Sequence, residues 1–310
     1  MATRSFIIIK VRKEDIGKEF KFNEALLPVP LDKWQEKNLD GTIWRDESGE
    51  DMCQPVVIND QYIGIYCHWD GYPSGVGAEL KKHFKDYGLS LNQVHQVLIT
   101  HDHADHIKSV GSISYDFQLP VYATALVHHG IDRNYCVQRK VNAGLRRIVE
   151  PGVQIQVGDF AVTPFSVPHD SSDNVGYFLE AEGISFCVIT DAGMVTDEMA
   201  QFITRANYLV IEANHDIEML QHGPYPPHLK TRILSSTGHL SNANCGEAIA
   251  QHMTEQLRHV WLCHLSEENN HPELARKTVE TVLRSYGIVA GKDFQLEVLK
   301  RTKPTGIFEL

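Results

Sequence analysis

No stretch of about 18 consecutive apolar residues occurs in this sequence, so no part of it has the length of a bilayer-spanning helix. The opening MATRSFIIIKVRK holds an apolar run too short for the core of a signal peptide. A cytoplasmic protein without a membrane partner is therefore expected. CxxC pairs are missing too. The six cysteines (Cys53, Cys67, Cys136, Cys187, Cys245 and Cys263) are scattered, and several sit inside apolar runs such as ISFCVIT and HVWLCHL, which reads as reduced, mostly core residues rather than a disulfide frame. The chain also has no basic excess. A net charge of −11 with histidine neutral argues against a broad surface that grips nucleic acid nonspecifically, and leaves room only for a local groove. Pro/Gly-rich blocks, single-charge blocks and internal repeats are absent, so the 310 residues should fold throughout. Nothing in the sequence reports an oligomeric state.

Histidine is what the chain has in quantity. Seventeen occur, and histidine is the commonest protein metal ligand and proton carrier near neutral pH. From residue 79 onward the apolar pattern alternates between strand and helix. AELKKHFKDYG places Leu80, Phe84 and Tyr87 on one helical face and stops at Gly88. Strands are predicted at VHQVLIT, LPVYAT, DFAVTPFSV, VGYFLEA, ISFCVIT, YLVIEA and HVWLCHL, each short and rich in β-branched or aromatic residues. PELARKTVETVLRSYG is predicted helical with Pro272 in its first turn, and DFQLEVL closes the pattern as a strand. Residues 1–78 are harder to read. FIIIKV is a credible strand and VVINDQYIGIYCHW a credible hairpin about Asn59-Asp60, while the stretch between them has no clear period.

The chemistry-bearing residues fall just after predicted strands. In HDHADH, His101 and His103 are two apart and can point the same way from extended backbone, with Asp105 and His106 following in the turn toward a helix. Two imidazoles suit zinc or a similar borderline ion, and a carboxylate-imidazole pair can hold a second ion beside it. His169 in SVPHDSS, Asp191 in FCVITDAG and His264 in WLCHLS each end an apolar run. Singly, such residues are more often satisfied histidines or turn-capping aspartates; in this order behind HDHADH they point to a metal centre. In GHLSN, His239 precedes a helix whose cap is expected at Ser241, followed by Ile249, Met253 and Leu257 at helical spacing, and a helix start favours anions. Glu212 ends the YLVIEA strand. The blander readings are a surface acid for Glu212 and a capping neighbour for His239.

The order HxHxDH, then His, Asp and His, resembles the metallo-β-lactamase superfamily. More narrowly, residues 79–310 look like its YycJ/WalJ branch of bacterial metallohydrolases, through ITHDHADHIKSV, PFSVPHDSSDNVGY, ITDAGMV, VIEANHDIEMLQHGPYP, GHLSN and CHLSEENNHPELA. The resemblance implies an α/β fold, a four-layer αβ/βα sandwich with metals at one edge of two facing sheets. It implies two divalent ions (Zn, Mn or Fe): His101, His103 and His169 on one, Asp105, His106 and His264 on the other, Asp191 bridging. It also implies a hydroxide bridging the metals as nucleophile, with Asp105 counted among the catalytic residues. Residues 1–78 do not match the branch and are expected to be a divergent segment, either strands that complete the first sheet or an appended piece.

A metal pair of this kind serves many hydrolyses, so the fold alone does not choose a substrate. The His239–Glu212 pairing is similar to that of the superfamily's nucleases, in which a glutamate-supported histidine assists the leaving group, and Ser241 with His239 would contact substrate. The expected function is a metal-dependent phosphodiesterase acting on nucleic acid, an exonuclease. The alternatives are a hydrolase of small esters, lactones or thioesters, and a catalytically silent metal-binding scaffold.

Overall fold

A computed structural model describes residues 91–300 in full, together with Phe84 and the strand backbones at 3–10, 55–59, 62–69 and 308–309. Strands β1 (Thr3–Lys10), β2 (Pro55–Asn59) and β3 (Tyr62–Trp69) carry the two N-terminal elements expected from sequence, with β2 and β3 antiparallel as a hairpin. Phe84 is helical and buried; the rest of the helix predicted around it lies outside the described residues.

Three short parallel strands follow: β4 (Val97–Leu98), β5 (Val121–Ala123) and β6 (Arg146–Ile148), in the order β4-β5-β6. The larger sheet comprises β7 (Ile155–Val157), β8 (Phe160–Ser166), β9 (Val175–Ala181), β10 (Ile184–Ile189), β11 (Tyr208–Glu212), β12 (His259–Cys263) and β13 (Gln295–Val298). Its order is β13-β12-β11-β10-β9-β8-β7. The β7–β10 half is antiparallel, whereas β10 through β13 run parallel. Parallel neighbours need a crossover, and helices Asp197–Arg205, Asn242–His252 and Pro272–Ser285 supply the three. Strand β14 (Phe308–Glu309) pairs in parallel with β2, so both chain ends meet in a sheet of order β1-β3-β2-β14.

Alternation along the central strands divides the interior into two cores. Cys187 and Ile189 of β10 and Val260 and Leu262 of β12 face the crossover helices, packed with Met199, Ile249 and Val279. Phe186, Val188, Trp261 and Cys263 face the opposite way, toward Leu98 and Tyr122 of the three-stranded sheet. Beyond that sheet, Val127 and Ile131 of helix Ala125–Arg133 close over Ile99, Val121 and Ala123. The result is helix, sheet, sheet, helix, the four-layer sandwich expected. Each of the large side chains in these cores contributes about 1.5–3 kcal/mol by leaving water.

The helix at Asn242–His252 is shorter than the apolar spacing suggested. Met253 turns extended while it and Leu257 still pack into the helix-side core, so the hydrophobic pattern outruns the helix. Cys187, Cys245 and Cys263 are buried thiols and Cys136 a half-buried one, none of them in a disulfide. Among the described residues no helix is long and apolar enough to cross a membrane.

Candidate metal centre

Because β10, β11 and β12 are parallel neighbours, their C-terminal ends lie side by side, and Asp191, Glu212 and His264 emerge at one edge. The 3-stranded sheet delivers HDHADH to the same edge. His101 pairs with Asn174 across an isolated bridge, Tyr177 OH donates to Ile99 O at 2.7 Å, and Asn174 Nδ2 donates to Asp191 O at 2.9 Å. His103 immediately precedes the short helix Ala104–Ile107 that carries Asp105 and His106, and His169 follows β8. Asp191 (φ 56°) and His264 (φ 58°) both adopt the left-handed region. That conformation costs a non-glycine residue about 1–3 kcal/mol and persists where the surroundings enforce it, commonly at functional sites.

All seven residues proposed from sequence as ligands converge. Ligand atoms of His101, His103 and His169 lie within 4.8 Å of one another, as do those of His101, His106 and Asp191, and those of Asp105, His106 and His264. His106 Nε2 is 3.4 Å from Asp191 Oδ2, His264 Nε2 is 3.2 Å from Asp191 Oδ1, and His169 Nε2 is 3.8 Å from the same oxygen. Asp191 thus stands between the two groups.

The hydrogen bonds fix which ring nitrogens face inward. His103 Nε2–H donates to Asp170 O at 3.2 Å and His169 Nδ1–H to Gly238 O at 3.0 Å. The nitrogens left, His103 Nδ1 and His169 Nε2, are both acceptors and stand 3.2 Å apart. Two ring lone pairs that close repel unless a proton or a metal cation lies between them. Nε2 of His101 and of His106 are likewise buried without a hydrogen-bond partner. Desolvated imidazole nitrogens beside a buried carboxylate are the donor set that a borderline divalent ion prefers, so these residues fit a metal pair.

Electrostatics agree with that fit. Burial, with the neighbouring His106, holds the His101 imidazolium form well below its usual range, and burial lowers His169. Burial alone would raise the Asp191 carboxyl, but His106, His101, His239 and His169 outweigh it and keep it well below the ordinary carboxylate range. For His101, His169 and Asp191, the neutral imidazole and the ionised carboxylate required of ligands are thus the favoured forms.

Behind this cluster, Glu212 is fully buried and uses both oxygens. Oε2 accepts from Ala192 N at 2.9 Å and Leu240 N at 3.1 Å; Oε1 accepts from His239 Nδ1 at 2.8 Å and also from His264 Nδ1. The expected His239–Glu212 contact is present, and the second tie to His264 was not anticipated. Ser241 caps its helix, its oxygen receiving Asn244 N–H at 3.1 Å, and only 2% of the residue is exposed, so the substrate contact expected there has no accessible hydroxyl to act through.

Sequence reasoning passed over Asp102, Asp170 and Arg232. Asp102 Oδ1 accepts Ser172 N at 3.1 Å and ties the HDHADH loop to the loop after His169. Gly130 allows it, since a Cβ there would lie 1.8 Å from Asp102 Oδ2. Asp170 Oδ1 lies 3.7 Å from His103 Nε2 and 3.6 Å from His169 Nε2, and Arg232 grips its carboxylate with Nε and, at 2.9 Å, Nη2. The Arg232 hydrogen bond holds the Asp170 carboxyl below its ordinary range. HD after a predicted strand, and an arginine within GPYPPHLKTR, were the available signals.

Fold and cluster together define a metal-dependent hydrolase. Residues 69–265 match the model of the beta-lactamase superfamily domain, and the chain belongs to that superfamily. Exodeoxyribonuclease YycJ of Bacillus anthracis is 36% identical over 224 residues, covering 72% of this chain and 84% of that protein. Exodeoxyribonuclease WalJ of Streptococcus pneumoniae serotype 2 (strain D39) is 36% identical over 200 residues, covering 64% and 74%. In three dimensions the chain is similar to the metallo-beta-lactamase fold protein YhfI from Bacillus subtilis (TM-score 0.54, 16% identity, 81% of this chain and 94% of that one). It is also similar to Zn(2+)-bound PqqB from Methylobacterium extorquens (TM-score 0.50, 17% identity, 66% and 73%). At such identities the two structures speak to the fold alone.

Proposed function

We propose that this hydrolase is an exonuclease that cleaves phosphodiester bonds of DNA with two divalent ions, zinc, manganese or iron. His101, His103 and His169 would hold one ion and Asp105, His106 and His264 the other, with Asp191 between them. When bound, the ions supply a water acidic enough to attack near neutral pH and neutralise charge on the phosphoryl group.

The observation that carries the choice of substrate is the buried Glu212 carboxylate hydrogen-bonded to His239 beside the metal cluster. A thioester, whose thiolate departs readily, has little use for a built general acid; a nucleoside alkoxide has much. With Nδ1–H committed to Glu212, His239 presents Nε2, and the carboxylate stabilises the doubly protonated ring. As the P–O bond breaks, the Nε2 proton passes to the departing oxygen and the ring returns to neutral. The names of the YycJ and WalJ relatives support DNA as the polymer.

The test compares purified protein on single-stranded DNA, bis(p-nitrophenyl) phosphate, an acyl-homoserine lactone and a glutathione thioester. Release of mononucleotides from DNA is expected. Turnover of the lactone or thioester with no phosphodiester cleavage would reject the proposal.

A further inference from the structure

The chain carries 40 aspartates and glutamates in 310 residues, yet none between Glu218 and Glu247. That stretch holds Lys230 and Arg232, and it ends at the metal cluster with His239 and the helix from Asn242. Its cations are held in place rather than loose. Lys230 Nζ donates to Gln221 O at 2.7 Å and Gly223 O at 2.8 Å, which fixes the loop against helix Pro227–Ile233. Arg232, on the same helix, grips Asp170 with one edge of its guanidinium, while 54% of its side chain stays exposed. The same Asp170 carboxylate lies 3.6–3.7 Å from His169 and His103, so one acidic group separates the guanidinium from the candidate ligands.

We propose that Arg232 is a phosphate-anchoring residue, binding the phosphate next to the scissile one and guiding a DNA strand along the acid-free segment into the metal cluster. This rests on the phosphodiesterase reading and names the group that holds its substrate. A guanidinium fork matches phosphate oxygens in two parallel hydrogen bonds, and clamping one edge on Asp170 limits the rotamer entropy lost when the other edge binds. In a protein of net charge −11, an approaching polyanion is repelled least where carboxylates are fewest, and the acids acting on Arg232 beside this segment are Asp170, already paired with it, and Asp105.

The metal-loaded full chain is compared as wild type, Arg232→Ala and Arg232→Lys. Cleavage of single-stranded DNA gives kcat and KM, elemental analysis gives metal content, and fluorescence anisotropy with a phosphorothioate oligonucleotide that resists cleavage gives affinity against salt. For Arg232→Ala, KM should rise about 10–100-fold with kcat within about threefold, and the slope of log affinity against log salt should shrink by about 0.7, one phosphate contact on a single strand. Arg232→Lys should recover the salt slope but only part of the affinity, since it keeps the charge and loses the fork. Metal content should not change. A fall in metal content or kcat with an unaltered salt slope would show that Arg232 serves only to hold Asp170, and would overturn the proposal. Unchanged KM and slope in an active enzyme overturn the anchoring role alone; a wild type that neither binds nor cleaves DNA overturns the phosphodiesterase reading with it.

Discussion

Glu212 and His264 are hydrogen-bonded, carboxylate Oε1 to ring Nδ1–H, through the side-by-side register that sets Glu212 opposite Cys263. The same oxygen receives His239 Nδ1–H, so one buried carboxylate orients both a candidate metal ligand and the candidate general acid. With Nδ1–H donated, His264 turns Nε2 toward Asp191, and its basicity is raised by the anion behind it.

Glu212→Gln should therefore weaken one of two metal sites. An amide has one acceptor oxygen where four N–H groups now converge. Metal titration followed by calorimetry should show affinity at the His264 site lowered about 10–100-fold while the His101–His103–His169 site is nearly unaffected. Equal weakening of both would assign Glu212 a general structural role.

His239→Ala should retain both metals and lose activity differentially. On DNA, whose leaving alkoxide needs a proton, the fall should be about 10²–10⁴-fold, and on bis(p-nitrophenyl) phosphate far smaller because p-nitrophenolate departs readily. Parallel kinetics on the two substrates check this, and equal losses would point to phosphate binding by His239 instead.

Gly130→Ala should disturb the metal centre without touching a ligand. The added methyl would collide with the Asp102 carboxylate that ties the HDHADH loop to Ser172. Stability should fall by about 1–3 kcal/mol in urea denaturation, with weaker metal retention against a chelator. Wild-type behaviour on both measures would show that the Asp102–Ser172 tie is dispensable.

The metal-free protein should lose stability in acid before its carboxylates titrate. Burial lowers His215 and His259 to about 4 from 6.5. For such depressed histidines the unfolded chain binds the extra proton first, so their stabilising contribution is complete above pH 6.5 and disappears as pH falls through about 4. His259, stacked on Trp261 with ring centroids 4.0 Å apart, is the accessible test. His259→Gln should flatten the fall of Tm across that window, and an unchanged profile would remove His259 as a cause.

Much of this molecule was legible in order of residues. The apolar runs at β10 through β12 stand out because strands covered on both faces are nearly continuous in apolar residues, and Asp191, Glu212 and His264 stand at or just beyond their ends. Strands β6 and β7 were not seen, since three residues such as RRI carry no periodic signal. Helix Ala125–Arg133 was also passed over, its Val127, His128 and Ile131 face being diluted by polar neighbours. Glu212 could be paired with His239 from sequence, but its bond to His264 depends on β11 and β12 being neighbours in one register. The Arg232–Asp170 and Asp102–Ser172 ties join segments 62 and 70 residues apart and have no local signature.

The central claim is that the converged imidazoles and carboxylates hold two metal ions. Elemental analysis of the purified, metal-supplemented protein tests it most directly. Close to two ions per chain are predicted, with a loss in His101→Ala and a larger one in Asp191→Ala, which stands between both groups. A stoichiometry near zero in correctly folded wild-type protein would contradict it.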